Sequence, residues 1–270
     1  MAIPYSKPAK EAVIMKFGGA SLATVDHFDH VASLIKRKSE TTKQIVVVVS
    51  AMWEQTNQLI SLAKQVNPSP PQREYDMLIS VGERISMSLL AMALAKWDIS
   101  AISLTGSQAG IITCTRHAEA SIIDVRPHRI IEGFENDKIV IVAGFQGVSD
   151  SKEITTLGRG GSDTSAVALG VALNACCVEF YKDVGGIFSK DPKIHPDAIY
   201  FPSLSYKKAL SIISKGAKVL HERALSMAQI HAMPLHILPC DPSSPSEGTR
   251  IGDDQEGSNK KTYEQTIHTA

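Results

Sequence analysis

A glycine-rich, charged stretch at positions 155–166, TTLGRGGSDTSA, runs directly into an apolar segment with helical spacing. Its glycines leave the backbone without side chains just where Ser162 or Asp163 can cap a helix, so free backbone amides can bind an anion there. Arg159 and Asp163 add opposite charges to this loop. A single stretch of this kind is more often an ordinary loop with a helix cap, because glycine-rich motifs occur by chance.

A second junction of the same type lies near the start of the chain. The apolar run at 12–15 leads into KFGGAS at 16–21, and a helical pattern follows from about 24 to 38. Two strand–glycine–helix junctions in one chain are less easily explained by chance than one. They predict two surfaces that hold phosphate groups.

The composition narrows the choice of partners. The chain has 270 residues, of which 43% are hydrophobic, enough for a single compact α/β unit with a substantial core. Its 28 basic and 28 acidic residues balance, so we expect neither nucleic acid nor a membrane as a partner. The four cysteines lack metal-ligand spacing, and we recognise neither a signal peptide nor a run of membrane-spanning length. Reduced thiols and a cytoplasmic location are therefore expected.

The apolar patterns predict alternating strands and helices. We predict strands at 13–17, 45–49, 99–104, 122–125, 139–143, 177–182 and 235–238, and helices at 25–37, 75–97, 127–134, 162–175, 205–213 and 224–231. The run at 45–49 is continuous and mostly β-branched, which is typical of a parallel strand covered on both faces. The strand at 235–238 is expected to close the sheet, and a polar, flexible tail is expected after it.

Polar residues at strand ends are candidate ligand contacts. Ser50 and Thr56 follow the strand at 45–49, where doubly wound sheets bind their ligands, although a cap or turn role is about as compatible with each alone. Glu83 interrupts the apolar pattern of the helix predicted at 75–97. It either lies on the exposed side, which is the default, or points at the amino group of a ligand, and the pattern does not decide between these.

The charges and glycine loops together favour phosphoryl transfer. That chemistry needs cations and amide donors around the moving phosphate, and Lys16, Lys218 and the two loops supply them. The chain has no G-x-x-x-x-G-K-[ST] motif and no protein-kinase motif set, and no G-x-G-x-x-G follows the first strand. These absences disfavour a P-loop enzyme, a protein kinase and a nicotinamide enzyme.

With these residues assembled, the chain resembles the amino acid kinase family, and within it most closely the catalytic domain of the aspartate-phosphorylating members. The resemblance covers about 13–251 and rests on motifs that occur in the family's order: KFGG at 16–19, VSAM at 49–52, GE at 82–83, GFQG at 144–147, TLGRGGSD at 156–163, DV at 183–184, DP at 191–192 and GAKVLH at 216–221. It implies a three-layer α/β/α sandwich with a mostly parallel central sheet.

The resemblance also implies a reaction. The γ-phosphate of ATP would be transferred to the side-chain carboxylate of L-aspartate, giving 4-phospho-L-aspartate at the start of lysine, threonine and methionine biosynthesis. Mg²⁺ would be held mainly by the nucleotide phosphates, with no metal ligands from the protein. Because the acceptor is already ionised at neutral pH, no general base is required.

Residue roles follow from the same resemblance. Lys16, Asp163 and Lys218 would be catalytic, with Asp163 positioning lysines near the reacting phosphate. Arg159 would bind the carboxylate and Glu83 the ammonium group of the amino acid. The remaining implied substrate contacts are Ser50, Thr56 and Phe145. The implied nucleotide contacts are Gly18, Gly19, Ser21, Gly160, Gly161, Asp183, Gly186, Phe188 and Lys218.

Four positions depart from the family pattern. Ala20 and Lys182 stand where threonine is usual, Trp53 where a small residue is common, and Glu222 where proline is common. The lost hydroxyl at Ala20 and the added charge at Lys182 leave the preferred phosphoryl donor and acceptor open.

The end of the matched region bears on regulation. GTRI at 248–251 resembles the join to paired regulatory ACT domains, yet only a polar tail follows. We therefore expect a catalytic domain at 1–240, a tail at 241–270 and no ACT domains. A homodimer is expected. For regulation the alternatives are an unregulated protein, a chain that is part of a longer one, and a separate regulatory subunit as a further partner. The alternatives are a related kinase for another acidic amino acid or a specialised metabolite, and a non-catalytic protein that binds nucleotide or amino acid.

Overall fold

The computed structural model of the chain describes residues 11–252 except 193, 196, 218, 242, 243 and 245. The strands are β1 Ala12–Phe17, β2 Gln44–Val49, β3 Ala101–Leu104, β4 Ile111–Thr113, β5 Ile122–Val125, β6 Ile139–Ala143, β7 Gln146–Ser149, β8 Ile154–Thr156, β9 Cys177–Lys182, β10 Ile187–Phe188, β11 Tyr200–Phe201, β12 Ser203–Leu204, β13 Leu235–Pro239 and β14 Thr249–Ile251. The helices are α1 Val25–Ser39, α2 Gln55–Val66, α3 Gln72–Ile79, α4 Val81–Ala95, α5 His128–Glu135, α6 Gly161–Leu173, α7 Tyr206–Ile213 and α8 Glu222–Ile230.

An eight-stranded sheet with the order β12-β14-β13-β9-β1-β2-β6-β3 forms the centre of the fold. All its neighbouring strands are parallel except β13 and β14. A four-stranded sheet, β5-β4-β7-β8, and a short hairpin, β10-β11, accompany it. The mostly parallel central sheet agrees with the prediction.

Two hydrophobic cores lie on opposite faces of the central sheet. Alternate residues of β1 face opposite ways, so Ile14 joins the core beneath α6 and α8, while Met15 joins the core beneath α1 and α4. The same alternation divides the β-branched residues of β2 between the two cores. Burial on both faces explains the continuous apolar strands, and it produces the predicted three-layer α/β/α sandwich.

The central strand β1 marks the place where the chain changes direction across the sheet. The connection after β1 leads to β2 on one side, and β9 pairs with β1 on the other. Because β1, β2, β6 and β9 are parallel, the loops that follow them meet at one edge of the sheet. Ligands of open α/β sheets bind at such a switch point, so this edge is where a site is expected.

The helix predicted at 75–97 is two helices, α3 and α4, which are separated at Ser80. Together they form the one stretch in the described part of the chain, Gln72–Ala95, that is long and apolar enough to cross a membrane, and half of it is buried in the protein. The expectation that no run approaches that length was therefore too strict. α4 packs its buried residues onto the sheet, and core helices of this kind commonly meet the same criterion.

The C-terminal part of the sheet also differs from the prediction. β13 does not close the sheet, because β14 pairs with it and β12 pairs with β14. Thr249 and Ile251 in β14 are buried, although they lie in the region predicted as a polar tail. A strand of three residues offers too short a pattern to be recognised in a polar sequence. Residues 253–270, the rest of the predicted tail, lie outside the described residues.

Candidate active site at the carboxyl edge of the sheet

A buried charge cluster lies where β1 meets the first turn of α6. Lys16 faces α6 because it shares the face of Ile14 on β1, and its Nζ is 2.6 Å from Oδ1 of Asp163. Lys182, the last residue of β9, brings its Nζ to 3.7 Å from Oδ2 of the same carboxylate. The side chains of Lys16, Lys182 and Asp163 are 6%, 16% and 9% exposed. Two ammonium groups thus surround one carboxylate in a largely dry environment.

These cations determine the charge of Asp163. Burial alone would raise the pKa of its carboxyl, but the charges of Lys16 and Lys182 and a hydrogen bond from the backbone of His221 outweigh that effect. The net result lowers the pKa to about 2. Asp163 is therefore an anion throughout the physiological pH range and can hold both lysines in place.

The glycine-rich loop before α6 packs tightly against its neighbours. Gly160 has a φ of 70°, and a Cβ there would lie 2.0 Å from Cγ of His221. A Cβ on Gly161 would lie 2.9 Å from Cδ2 of Phe145. Only glycine satisfies both positions without displacing these residues, so the loop brings the segments around Phe145 and His221 to the start of α6.

The helix cap is not the one predicted. Gly160 occupies the N-cap position of α6 and no side chain caps the helix, whereas Ser162 and Asp163 lie inside its first turn. The prediction that Ser162 or Asp163 caps the helix was therefore wrong. Without a side-chain cap, the positive end of α6 is directed at the edge of the sheet, next to Lys16.

The first glycine loop borders the same charges. Gly18 follows β1, and a Cβ on it would lie 3.6 Å from Nζ of Lys16. Gly19 leads into a short 3₁₀ turn, Gly19–Leu22, in which Ser21 is buried. The missing side chain at Gly18 keeps an approach to the Lys16 ammonium clear, which fits a group that must come close to it, such as a phosphate.

Glu83 lies in the first turn of α4 and is only 3% exposed, which excludes the exposed position, one of the two alternatives left open by the sequence. Its Oε1 accepts a hydrogen bond from the backbone amide of Ala51, 3.0 Å away. Among the described residues its buried Oε2 has no hydrogen-bond partner. Burial raises the pKa of this carboxyl to about 7, although the amides and the charge of Lys16 act in the opposite direction.

Gln55 is a further candidate contact that the sequence did not reveal. It begins α2, and within the described chain its buried Oε1 also has no partner. A Cβ on Gly82 would lie 2.7 Å from Cβ of Ala51 and 3.6 Å from Oε1 of Gln55, so this oxygen lies close to the segment that carries Glu83. Buried acceptors without a partner at these two positions favour a ligand with a donating, positively charged group.

The other predicted substrate contacts differ in their surroundings. Ser50 is half-buried after β2, where its amide donates to the carbonyl of Phe17, and Thr56 is half-buried in α2. Phe145 has a φ of 69°, a conformation that a bulky residue seldom adopts. Its amide donates to Oγ of Ser165, which holds this conformation against α6. Such strain is common at ligand-binding positions.

Arg159 is exposed, and among the described residues we find no ion pair or hydrogen bond to its guanidinium. Asp163 instead pairs with the two lysines. This arrangement argues against a purely structural role in which Arg159 pairs with Asp163 to support the glycine loop. It leaves the guanidinium available to a ligand at the mouth of the site.

A cavity of about 720 Å³ opens beside the charge cluster. Three predicted nucleotide contacts line it, Asp183, Gly186 and Phe188, and so does Lys182. The predicted contacts Gly18, Gly19, Ser21, Gly160 and Gly161 are not among its lining residues and lie at the sheet edge instead. Lys218 lies outside the described residues, although its sequence neighbours, Ala217 and Val219, line the cavity.

The described residues contain no cluster of three or more His, Cys, Asp or Glu side chains able to hold a metal ion. All four cysteines are free. A role for Mg²⁺ bound through nucleotide phosphates stays a prediction. Asp183 and Asp191 are the acidic residues that line the cavity.

Comparisons with known proteins agree with this fold. The model of the amino acid kinase family matches residues 11–239, and the chain belongs to that family. It is 48% identical to the aspartokinase of Mycolicibacterium smegmatis and 46% identical to that of Corynebacterium glutamicum, each over 226 residues, or 83% of this chain and 54% of the relative. The chain thus spans about half the length of these relatives.

Solved structures give the same result. The aspartate kinase of Synechocystis aligns with 92% of this chain and 40% of its own, with a TM-score of 0.79 and 41% identity. Aspartokinase III of E. coli in complex with lysine and aspartate covers 91% of this chain and 66% of its own, with a TM-score of 0.76 and 25% identity. These similarities confirm the family resemblance inferred from the motifs.

Proposed function

We propose that this chain transfers the γ-phosphate of ATP to the side-chain carboxylate of L-aspartate. The observation that carries the proposal is the buried cluster of Lys16, Asp163 and Lys182 at the carboxyl end of β1, which has a cavity on one side. Glu83, whose Oε2 has no partner among the described residues, lies within the electrostatic reach of Lys16. The identity to aspartokinases supports aspartate as the acceptor. The product, 4-phospho-L-aspartate, would enter lysine, threonine and methionine biosynthesis.

The nucleotide would lie in the cavity against Asp183, Gly186 and Phe188, with its phosphates directed at Lys16. Mg²⁺, when bound to the phosphates, would neutralise part of their charge. The chain's own contribution is to align the phosphate with Lys16, the amides of the glycine loops and the start of α6, all of which stabilise negative charge that spreads over the phosphoryl oxygens. Asp163 acts through the lysines it positions.

The amino acid would bind on the other side of Lys16. Its ammonium group would be placed against Oε2 of Glu83 and Oε1 of Gln55, the two buried acceptors that lack a partner in the described chain. Arg159 would grip a carboxylate from the exposed side, and Ser50, Thr56 and Phe145 would complete the pocket. The aspartate complex of E. coli aspartokinase III supports an aspartate site in this fold.

A hydroxylamine-trapping assay with MgATP and a panel of acidic amino acids tests the proposal. We expect an acyl phosphate with L-aspartate and none, or much less, with L-glutamate or other acidic amino acids. The same assay on Lys16→Met should give a signal at least about 100-fold lower, since the cation at the transferred phosphate is lost. A signal with a different acceptor would favour a related kinase, and no signal with any acceptor would favour a binding protein.

Three further expectations belong to the same proposal. The cytoplasm stays our predicted location. A homodimer and a separate regulatory subunit stay predictions. The molecular mass of the purified chain in solution would test the first, and the mass of the complex isolated with it from cells would test the second.

A further inference from the structure

Lys182 occupies a position between the charge cluster and the cavity. It ends β9, the strand beside β1, and the register places Lys16 opposite Phe180. Lys182 therefore lies two residues nearer the carboxyl edge than Lys16 and on the same face of the sheet. The side chain of Lys182 contacts Asp163 and also lines the cavity. Lys16 pairs with Asp163 but does not line the cavity.

The charge balance of the cluster is incomplete. Lys16 and Lys182 carry two positive charges, and Asp163 carries one negative charge. Lys16 makes the close contact at 2.6 Å, whereas the 3.7 Å between Lys182 and Asp163 is longer than a normal hydrogen bond. A buried positive charge without a full partner is unfavourable, so the arrangement is stabilised when an anion arrives.

The electrostatics of Lys182 agree with this description. Burial lowers the pKa of its ammonium group, and the nearby Asp163 only partly opposes that effect. The positive charge of Lys16 lowers the pKa further, and Asp183 raises it. A bound polyanion would add negative charge and favour the ammonium form. The family resemblance leads one to expect threonine at this position, so the additional charge is a feature of this chain.

We propose that Lys182 is a second catalytic cation, which contacts the phosphate chain of the nucleotide directly from the cavity side. The assignment rests on the nucleotide site of the proposed function and adds a contact that the family motifs do not supply. Lys16 and Lys182 would then bind the phosphate chain from two neighbouring strands, and Asp163 would hold both in position.

Calorimetric binding of MgADP, inorganic tripolyphosphate and adenosine tests this assignment without turnover. In Lys182→Met, which keeps the length of the side chain but removes its charge, we expect affinity for MgADP and tripolyphosphate to fall by about 10- to 100-fold, the usual effect of losing a hydrogen bond to a charged group. Adenosine binding should change little. Lys182→Arg should keep most of the affinity, because it keeps the charge.

Lys190→Met is the matched control at the rim of the same cavity. Lys190 is 54% exposed and pairs with Asp197 at 3.5 Å, so loss of its charge should change MgADP affinity by less than about threefold. Thermal unfolding of each variant shows whether it is folded, and Lys182→Thr provides a second neutral variant if Lys182→Met is not.

The outcomes separate this assignment from the proposed function. If a folded Lys182→Met binds MgADP and tripolyphosphate as tightly as the unmodified chain, Lys182 only balances Asp163 and the assignment is wrong. An equal loss for adenosine and MgADP would mean that the substitution distorts the cavity, and this would also overturn it. If the unmodified chain binds no MgADP, the proposed function fails together with the assignment.

Discussion

Asp163 and Glu83 are buried carboxylates at the same edge of the sheet, yet their electrostatic states are opposite. Asp163 has two ammonium groups within 3.7 Å and a pKa lowered to about 2. Glu83 accepts a hydrogen bond from the amide of Ala51, and burial raises the pKa of its carboxyl to about 7. Burial is similar, so the difference comes from the partners. Asp163 has its cations in the chain, whereas Glu83 is arranged to receive one from a ligand.

The two carboxylates also give opposite dependences of stability on pH. Because the pKa of Asp163 is lowered from 3.8, its contribution to stability is present above 3.8 and is lost as pH falls from 3.8 to about 2. The folded chain keeps the Glu83 proton up to about pH 7, while the unfolded chain releases it near 4.5. Glu83 therefore lowers stability as pH rises from 4.5 to about 7.

The largest effect is expected for Asp163→Asn, which removes the carboxylate that pairs with Lys16 and Lys182. Two buried ammonium groups then lack their anion, so we expect the free energy of unfolding to fall by about 3 kcal/mol and kcat/KM by about 1000-fold. Urea unfolding at pH 7.5 and the trapping assay measure the two effects.

Asp197→Asn serves as the control for this change, because it removes the partner of Lys190 in an exposed ion pair. Its effect on stability should stay below about 1 kcal/mol. Equal stability losses in the two variants would mean that the buried cluster is no more costly to break than a surface pair, contrary to our description.

Glu83→Gln removes the second buried carboxylate, the one without a cationic partner in the described part of the chain. Removal of the negative charge should raise the KM for aspartate by about 10- to 100-fold while the KM for ATP changes little, because only the ammonium group of the amino acid loses its partner. At pH 8 the same variant should be more stable by about 1 to 2 kcal/mol, since it no longer buries an unpaired charge. Kinetics and urea unfolding on one preparation check both.

A residue that is needed only for folding would give a different result. Lower stability together with higher KM values for both substrates would contradict the ligand-binding role of Glu83. Glu135→Gln, an exposed position on α5, provides the matched control and should leave both KM values unchanged.

The smallest effect is expected for Arg159→Lys. The variant keeps the charge but loses the forked geometry, so the KM for aspartate should rise by about tenfold and ATP affinity should stay the same. Aspartate kinetics and calorimetric ATP binding on the same variant separate the two substrates. Parallel losses for aspartate and ATP would show that Arg159 supports the shared glycine loop instead of gripping the amino acid.

The bounds of three strands could be predicted closely. Those predicted for β5, β6 and β9 agree with the structure, because a proline or glycine shortly after each strand marks its end in the sequence. The break at Ser80 could not be predicted, because the apolar pattern continues through it. The strand β14 could not be predicted either, because it is only three residues long. Both depend on packing against distant parts of the chain.

The residues of the candidate site also fall into those that a local motif identified and those that depend on packing. Lys16 and Asp163 were identified through their motifs, and the strand order then brings them together. The burial of Glu83 was undecided because apolar residues lie around much of the circumference of α4, so periodicity did not assign Glu83 to a face. The contact of Lys182 with Asp163 and the position of Gln55 depend on register and loop packing, which no local pattern contains.

The contrast between the two carboxylates, together with the proposed place of aspartate, predicts that Glu83 holds a proton in the free chain and releases it to solvent when the ammonium group of aspartate binds. Infrared difference spectroscopy at pH 6 measures this directly through the band of the protonated carboxyl group. We predict that the band is present in the free chain, is lost when L-aspartate is added, and is absent from Glu83→Gln throughout. A free chain with Glu83 already ionised at pH 6, or a band that aspartate leaves unchanged, would contradict the account.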